Sequence, residues 1–142
     1  MKKYIIYISL IFIVIISFIV YKYQVSVTEK NSLIEANKQY EKYYNNIVNG
    51  TEVASLINKV IDNNEKNQIV KNENNEYISN DKDSINIDVK FKDSDKIFNI
   101  EKIYNLGIDQ FIYNYNSMNF KCTKMEYHQN SNRIKYMYFE EI

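Results

Sequence analysis

At 142 residues the chain has room for one membrane segment and one small domain. It has no Pro, no Trp and only two Gly, against 21 Asn, 23 Ile and 14 Tyr, which argues against a collagen-like or disordered chain; the single Cys excludes an intramolecular disulfide and a Cys-rich metal cluster. Basic and acidic residues balance at 18 each, and setting aside Lys2 and Lys3 leaves the rest slightly acidic, without the basic footprint that nucleic-acid binding needs.

The first element is "YIIYISLIFIVIISFIVY", residues 4 to 21, with no charge, Pro or Gly. As a helix it would span about 27 Å, close to the hydrocarbon thickness of a bilayer. Its Ile, Leu, Val and Phe side chains each favour insertion by a few tenths of a kcal/mol, several kcal/mol together. Ser9 and Ser17 can bond back to the helix backbone, and Tyr4, Tyr7, Tyr21 and Tyr23 lie near the two ends, where amphipathic rings prefer the interface. A cleaved signal peptide would need small residues after the apolar run, and "YKYQVSV" offers none. A lipoprotein signal needs a Cys there, but the Cys is Cys122; pilin processing needs a Gly before the run, but the first Gly is Gly50. Residues 1–23 therefore read as a retained membrane anchor. Lys2 and Lys3 before the run, against Lys22 after it, put the N-terminus in the cytoplasm and the rest outside.

Residues 24–48 read as a juxtamembrane helix. Leu33, Ala36, Tyr40, Tyr43, Tyr44 and Ile47 recur at three- and four-residue steps. They suit a stalk that packs one side onto the domain, or a helix that meets a partner. Asn49-Gly50 is a turn signal, after which Thr51 can cap a second helix with Glu52 in its first turn. Val53, Leu56, Ile57, Val60 and Ile61 form its apolar face, and Asn63-Asn64 can stop it. Glu52, Asn58 and Lys59 on the polar face make no catalytic grouping. Asn49-Gly50-Thr51 matches a glycosylation sequon, discounted because the Asn, Ile and Tyr bias is of the kind AT-rich bacterial coding sequences produce.

The polar stretch 63–76 reads as a loop with a short strand at Gln68 to Lys71. Ile85, Ile87, Val89 and Phe91 alternate with polar residues, the period of a half-buried strand, expected to pair with Tyr77 and Ile78 as a hairpin. Residues 100–115 return to helical spacing, with Ile100, Ile103, Tyr104, Phe111, Ile112 and Tyr115 facing the sheet and Gly107 kinking or dividing the helix. Phe120 to His128 and Arg133 to Glu140 read as a second hairpin around "QNSN". The sum is an α+β fold, ordered helix-helix-strand-strand-helix-strand-strand, whose domain at 49–142 has one antiparallel sheet and helices on one face.

Candidate chemistry is sparse. Cys122 and His128 are six residues apart on one predicted strand, about 20 Å, so they cannot share an ion or a proton; Cys122 reads as a core residue. Asp81 with Asp83, and Asp93 with Asp95, sit in loops without the Gly and Glu of a calcium-binding hand. No nucleotide-binding, hydrolase or zinc-protease motif is present, so no catalytic, cofactor or metal residue is expected. Tyr136 and Tyr138 share one face of the last strand with Ile134, and Met137 and Phe139 the other. That pattern suits a central strand or a face that meets a partner.

In "NGTEVASLINKVIDNNEKN", "IYNLG", "NFKCTKMEYH" and "RIKYMYFEE" the chain resembles a group of small uncharacterised single-pass membrane proteins of low-GC Gram-positive bacteria, over roughly residues 35 to 142. The resemblance implies a membrane-anchored bacterial domain and carries over no site residue. The expectation is a non-enzymatic, extracytoplasmic structural or interaction protein of the cell envelope, with a protein partner or self-association. A ligand-binding or sensing module is the alternative, and an enzyme has the least support.

Overall fold

A computed structural model describes residues 2–92 and 97–142. In chain order the elements are α1 (Lys2–Glu41), β1 (Ile47–Asn49), α2 (Gly50–Lys66), β2 (Asn86–Lys90), β3 (Ile97–Asn99), α3 (Ile100–Leu106), α4 (Ile108–Tyr115), β4 (Asn119–Tyr127) and β5 (Ile134–Glu141). The chain divides into two compact units between Ala36 and Asn37.

In the first unit, α1 carries the apolar run. Its most apolar stretch of 18 residues has a mean hydropathy of 2.2 and no buried share, and among the described residues it is the one helix long and apolar enough to cross a membrane. Ser9 and Ser17 donate to the carbonyls of Ile6 and Ile13, both at 2.8 Å, as expected. Those bonds keep two hydroxyls satisfied without any external partner.

The second unit is α+β, and its five-stranded sheet has the order β1-β4-β5-β2-β3. The expected all-antiparallel sheet is corrected here. β2 and β5 run parallel, with Ile87 opposite Met137 and Val89 opposite Phe139, while the other neighbours are antiparallel. The hairpin of β4 and β5 forms as predicted. The hairpin predicted between Tyr77-Ile78 and Ile85–Phe91 does not form. Tyr77 makes an isolated bridge with Lys71 instead, and β2 pairs with β3 and β5. The alternation of apolar residues was real, with Ile85, Ile87, Val89 and Phe91 all buried. Periodicity reports which face is buried, not which strand lies alongside.

The predicted helix over 24–48 is also corrected. Helix α1 stops at Glu41, Asn45 turns at φ 58°, and the chain enters β1. The backbone N–H of Asn45 donates to the Cys122 carbonyl at 2.9 Å, and Ile47, Val48 and Asn49 pair with Lys121, Phe120 and Asn119. A distant strand thus overrides local helical spacing, and β-branched Ile47 and Val48 suit it. Tyr40 and Tyr43 are buried, but Tyr44 and Ile47 are exposed.

Helix α2 supplies the main apolar stripe. Val53, Leu56, Ile57, Val60 and Ile61 are buried as predicted. The cap is Asn49 rather than Thr51. The Asn49 side chain accepts from the Glu52 N–H at 2.9 Å, while Glu52 accepts from the Asn49 N–H at 3.1 Å, a reciprocal capping box. Gly50 can be the first helical residue because a Cβ there would lie 1.9 Å from the Tyr115 carbonyl oxygen, so the close approach of α4's end demands glycine. The helix also runs past Asn63-Asn64 to Lys66. Asn64 is fully buried and pairs twice with Ile85: its amide donates to the Ile85 carbonyl at 2.8 Å and its oxygen accepts the Ile85 N–H at 2.9 Å. Asn37 does the same for the start of β5, donating to the Asn132 carbonyl at 2.8 Å and accepting from the Ile134 N–H at 3.1 Å. Each side-chain amide acts as a one-residue strand neighbour.

Gly107, at φ 99°, divides α3 from α4 as expected, in a conformation that L side chains rarely adopt. Ile100, Ile103 and Phe111 join the core with Ile112 and Tyr115 packed against it, whereas Tyr104 is exposed. The division at Gly107 shifts the helical phase, so one continuous stripe cannot hold. Phe91 gathers Phe98, Phe111, Tyr115 and Phe120 around it, with ring centroids 4.5 to 6.2 Å away.

Asn64→Ala leaves both polar backbone groups of Ile85 buried without partners, at about 1–3 kcal/mol each. Denaturant unfolding of the whole chain in detergent micelles should show a loss of roughly 2–4 kcal/mol, against under about 0.5 kcal/mol for exposed Asn58→Ala. Gly50→Ala forces a backbone clash and should cost about 1–3 kcal/mol in the same measurement.

Candidate functional site

One convergence of polar side chains in the second unit lies on the sheet, where three strands present polar residues. β2 brings Asn86 and Asp88, β4 brings Lys124 and Glu126, and β5 brings Lys135 and Tyr136 to one cleft of about 370 Å³; Tyr77, Ser79 and Ser84 from the segment before β2 add to its lining. The strand pairing sets this arrangement. Tyr136 stands opposite Asn86 on one side and Glu126 on the other, in the middle strand of the sheet. Of the two alternatives for the last strand, a central position or a face that meets a partner, the sheet order shows the central position. Ile134, however, leaves the face of Tyr136. A register irregularity between Glu126 and Tyr127 puts it in the core with Met137 and Phe139.

Two of the charges in this cleft pair with each other, and a third, Asp88, is held by a neutral phenol. The Tyr136 hydroxyl donates to Asp88 Oδ2 at 2.8 Å. Burial, then the hydrogen bond and charge of Asp88, push the phenol well above its ordinary pKa. Lys124 and Glu126 pair at 2.6 Å on an open surface, where such a pair adds little stability. Lys124 Nζ also lies 5.6 Å from the Tyr136 ring centroid. The cleft offers hydroxyls, amides and balanced charge for hydrogen bonding, but its phenol is held protonated and its carboxylates have assigned partners.

The residues singled out in the sequence do not come together. Cys122 is fully buried, and its thiol donates weakly to the Lys124 carbonyl at 3.5 Å. Burial pushes it up to about 11, with backbone hydrogen bonds opposing the rise. His128 is buried beyond the end of β4, with Nε2 at 2.7 Å from the Ser84 carbonyl; that nitrogen must carry the proton, since a carbonyl only accepts. The imidazole thereby ties the β4–β5 turn to the approach to β2. Asp83 pairs with Arg133 at 2.8 Å and Asp81 is exposed. Asp93 and Asp95 lie outside the described residues. Glu52 is occupied in the helix cap, Asn58 is exposed, and Lys59 lies over the Tyr40 ring at 5.9 Å. Among the described residues no group of three or more His, Cys, Asp or Glu is placed to hold a metal ion.

One residue escaped the sequence reading. Glu101 is 5% exposed; its Oε1 accepts the Tyr77 N–H at 3.0 Å, and its Oε2 has no hydrogen-bond partner. Tyr77 is pushed up to about 12 by burial and then by the charges of Glu65 and Glu101. An acid in a helix's first turn is common, so nothing local marks Glu101 as buried.

Because folding raises the Cys122 pKa, its contribution to stability is complete below pH 9.0 and is lost as pH rises through about 11. At pH 8 the folded protein should carry about a hundredfold less thiolate than an ordinary cysteine. Iodoacetamide labelling read by intact mass should therefore be near zero in the native protein and complete in denaturant; rapid native labelling would show an open thiol. No family model matches the chain, and no curated protein or solved structure is significantly similar to it.

Proposed function

We propose that this is a membrane-anchored structural or interaction protein of the bacterial cell envelope, with α1 held in the bilayer and the unit from Asn37 onward outside the cytoplasm. The observation that carries the reading is the apolar window of α1, none of which is buried. Ile6, Ile11, Phe12, Val14 and Phe18 are each more than half exposed. In water such a surface would be an association hazard; in lipid it is the solvated face of a spanning helix. The order of Lys2 and Lys3 before the run and Lys22 after it supports the orientation.

The domain reads as a binding surface rather than an enzyme: in the cleft around Asp88 and Tyr136 the phenol donates to the carboxylate and Lys124 pairs with Glu126, a set suited to hydrogen-bonded contact. Its partner is a protein, either another envelope component or a second copy of this chain. The alternative of a ligand-binding or sensing module is favoured by the cleft around Asp88 and Tyr136.

Alkaline-carbonate washing of membranes should leave the full-length 17.1 kDa chain in the pellet. Protease added to intact protoplasts should digest the domain while leaving a cytoplasmic control untouched. A protected domain would reverse the orientation, and a chain released by carbonate would remove the anchor. Crosslinking in cells should recover a discrete adduct, and a lone uncrosslinked chain would count against the interaction role.

A further inference from the structure

Between Gln24 and Ala36, where α1 has left its apolar run, the large apolar side chains that stay exposed are Val27 and Ile34, at 38% and 52%. They stand seven residues apart, and the same step continues back along the helix through Val20, Ile13 and Ile6, which are exposed as well. We propose that this stripe is the seam of a parallel dimer, in which α1 packs against α1 of a second copy of the chain. The inference rests on the membrane anchor proposed above and names its partner. An α-helix returns every seventh residue to nearly the same side, and a sustained seven-residue apolar repeat winds two helices into a left-handed pair. From Ile6 to Ile34 the repeat covers four heptads, the length at which such a pattern argues for a coiled coil. Inside the apolar run every side of α1 is apolar, so the stretch beyond it is what picks out the face. There Val27 and Ile34 stand among Ser26, Thr28, Asn31 and Glu35, and a second copy removes their apolar surface from water.

The residues beside the stripe select a second copy, held parallel and in register. With Val27 and Ile34 at one seam position, Asn31 falls at the other, between them. A seam Asn in a parallel pair meets the same Asn of its neighbour, which fixes register and favours two strands. Lys30 and Glu35 flank the seam on its two sides. In a parallel pair, the residue before one seam position faces the residue five places later on the neighbouring helix. Lys30 therefore meets Glu35 of the second copy, and two-fold symmetry makes this pair twice. Within one helix the two side chains point about 140° apart and cannot pair. Among the described residues neither takes part in an ion pair. Opposite charges at this spacing complement a copy of the same helix. Insertion from the same side of one bilayer orients both copies alike, so the parallel geometry is imposed before they meet.

Oxidative crosslinking of single cysteines along α1 of the full chain, in membranes of the expressing cells, provides the test, with buried Cys122 as a silent background. Val27→Cys, Asn31→Cys and Ile34→Cys should give a species at twice the 17.1 kDa chain mass. Glu29→Cys and Ser32→Cys, on the far side of the helix, should give roughly fivefold less. Lys30→Glu should lower the Ile34→Cys crosslink by about twofold to tenfold, and adding Glu35→Lys to it should restore the yield. All these positions are exposed, so the substitutions leave the folded core untouched. Equal crosslinking at the five cysteine positions, no crosslinking at any of them, or a charge swap that fails to restore the yield would each overturn the dimer. Alkaline-carbonate extraction of the same membranes reads the anchor separately. A pelleted chain without the periodic pattern overturns the dimer and leaves the anchor standing, whereas a released chain overturns both.

Discussion

Burial of one helical stripe organises the soluble part of this protein. Val53, Leu56, Ile57, Val60 and Ile61 of α2 are the inner layer against which the sheet and the shorter helices close. Fully burying side chains of this size is worth about 1.5–3 kcal/mol each, an upper estimate because unfolded chains already bury some apolar surface. The cap at Asn49 adds about 1 kcal/mol. Hydrophobic burial therefore decides that α2 is buried, while smaller polar terms decide where it sits. Those polar terms come from both ends: the capping box with Glu52 at the start, and the double bond of Asn64 to Ile85 at the far end. The second of these sets the height of β2 against α2.

Asparagine recurs in these roles for a physical reason. A chain with no Pro and two Gly must build its turns from something else. Asn tolerates the left-handed region better than most residues, and its amide can imitate a backbone group. Asn45, Asn75 and Asn132 take positive φ. The oxygen of Asn80 accepts from the N–H groups of Lys82, Asp83 and Ser84, and that of Asn72 from Asn74 and Glu76. Asn49 and Asn99 cap helices, while Asn37 and Asn64 stand in for strand neighbours. The abundance of Asn is thus put to structural use.

The same sheet generates two different surfaces around Asp88. Towards β4 and β5, Lys124 and Lys135 accompany Glu126, and the Tyr136 hydroxyl satisfies Asp88. Towards β3 and α3, Glu76 and Glu101 join Asp88 with a single described cation whose ammonium lies over an aromatic ring. Balanced charge on the first side favours hydrogen-bonded contact with a polar surface. Both surfaces belong to a unit whose chain begins with a helix long and apolar enough for a bilayer.

What the sequence determined by itself was local, and even there the exact helix ends were not fixed: α2 is capped by Asn49 and runs to Lys66. The apolar run of α1, the stripe of α2, the division at Gly107, the alternation of Ile87 and Val89, and the hairpin of β4 and β5 each depend on residues a few positions apart, whose spacing states the period directly. The buried state of Cys122 was legible for the same reason, as a small apolar residue in an alternating strand. The tertiary structure alone decided the rest. It ended α1 at Glu41 so that Ile47–Asn49 could pair with β4, and it laid β2 parallel to β5. It also gathered Asp88, Glu126 and Tyr136 from three strands, and buried Glu101 against the Tyr77 backbone. Those outcomes depend on partners tens of residues away, and hydrogen bonding between strands is made by backbone groups that every residue shares. The identity of a strand's neighbour is therefore not written in the strand.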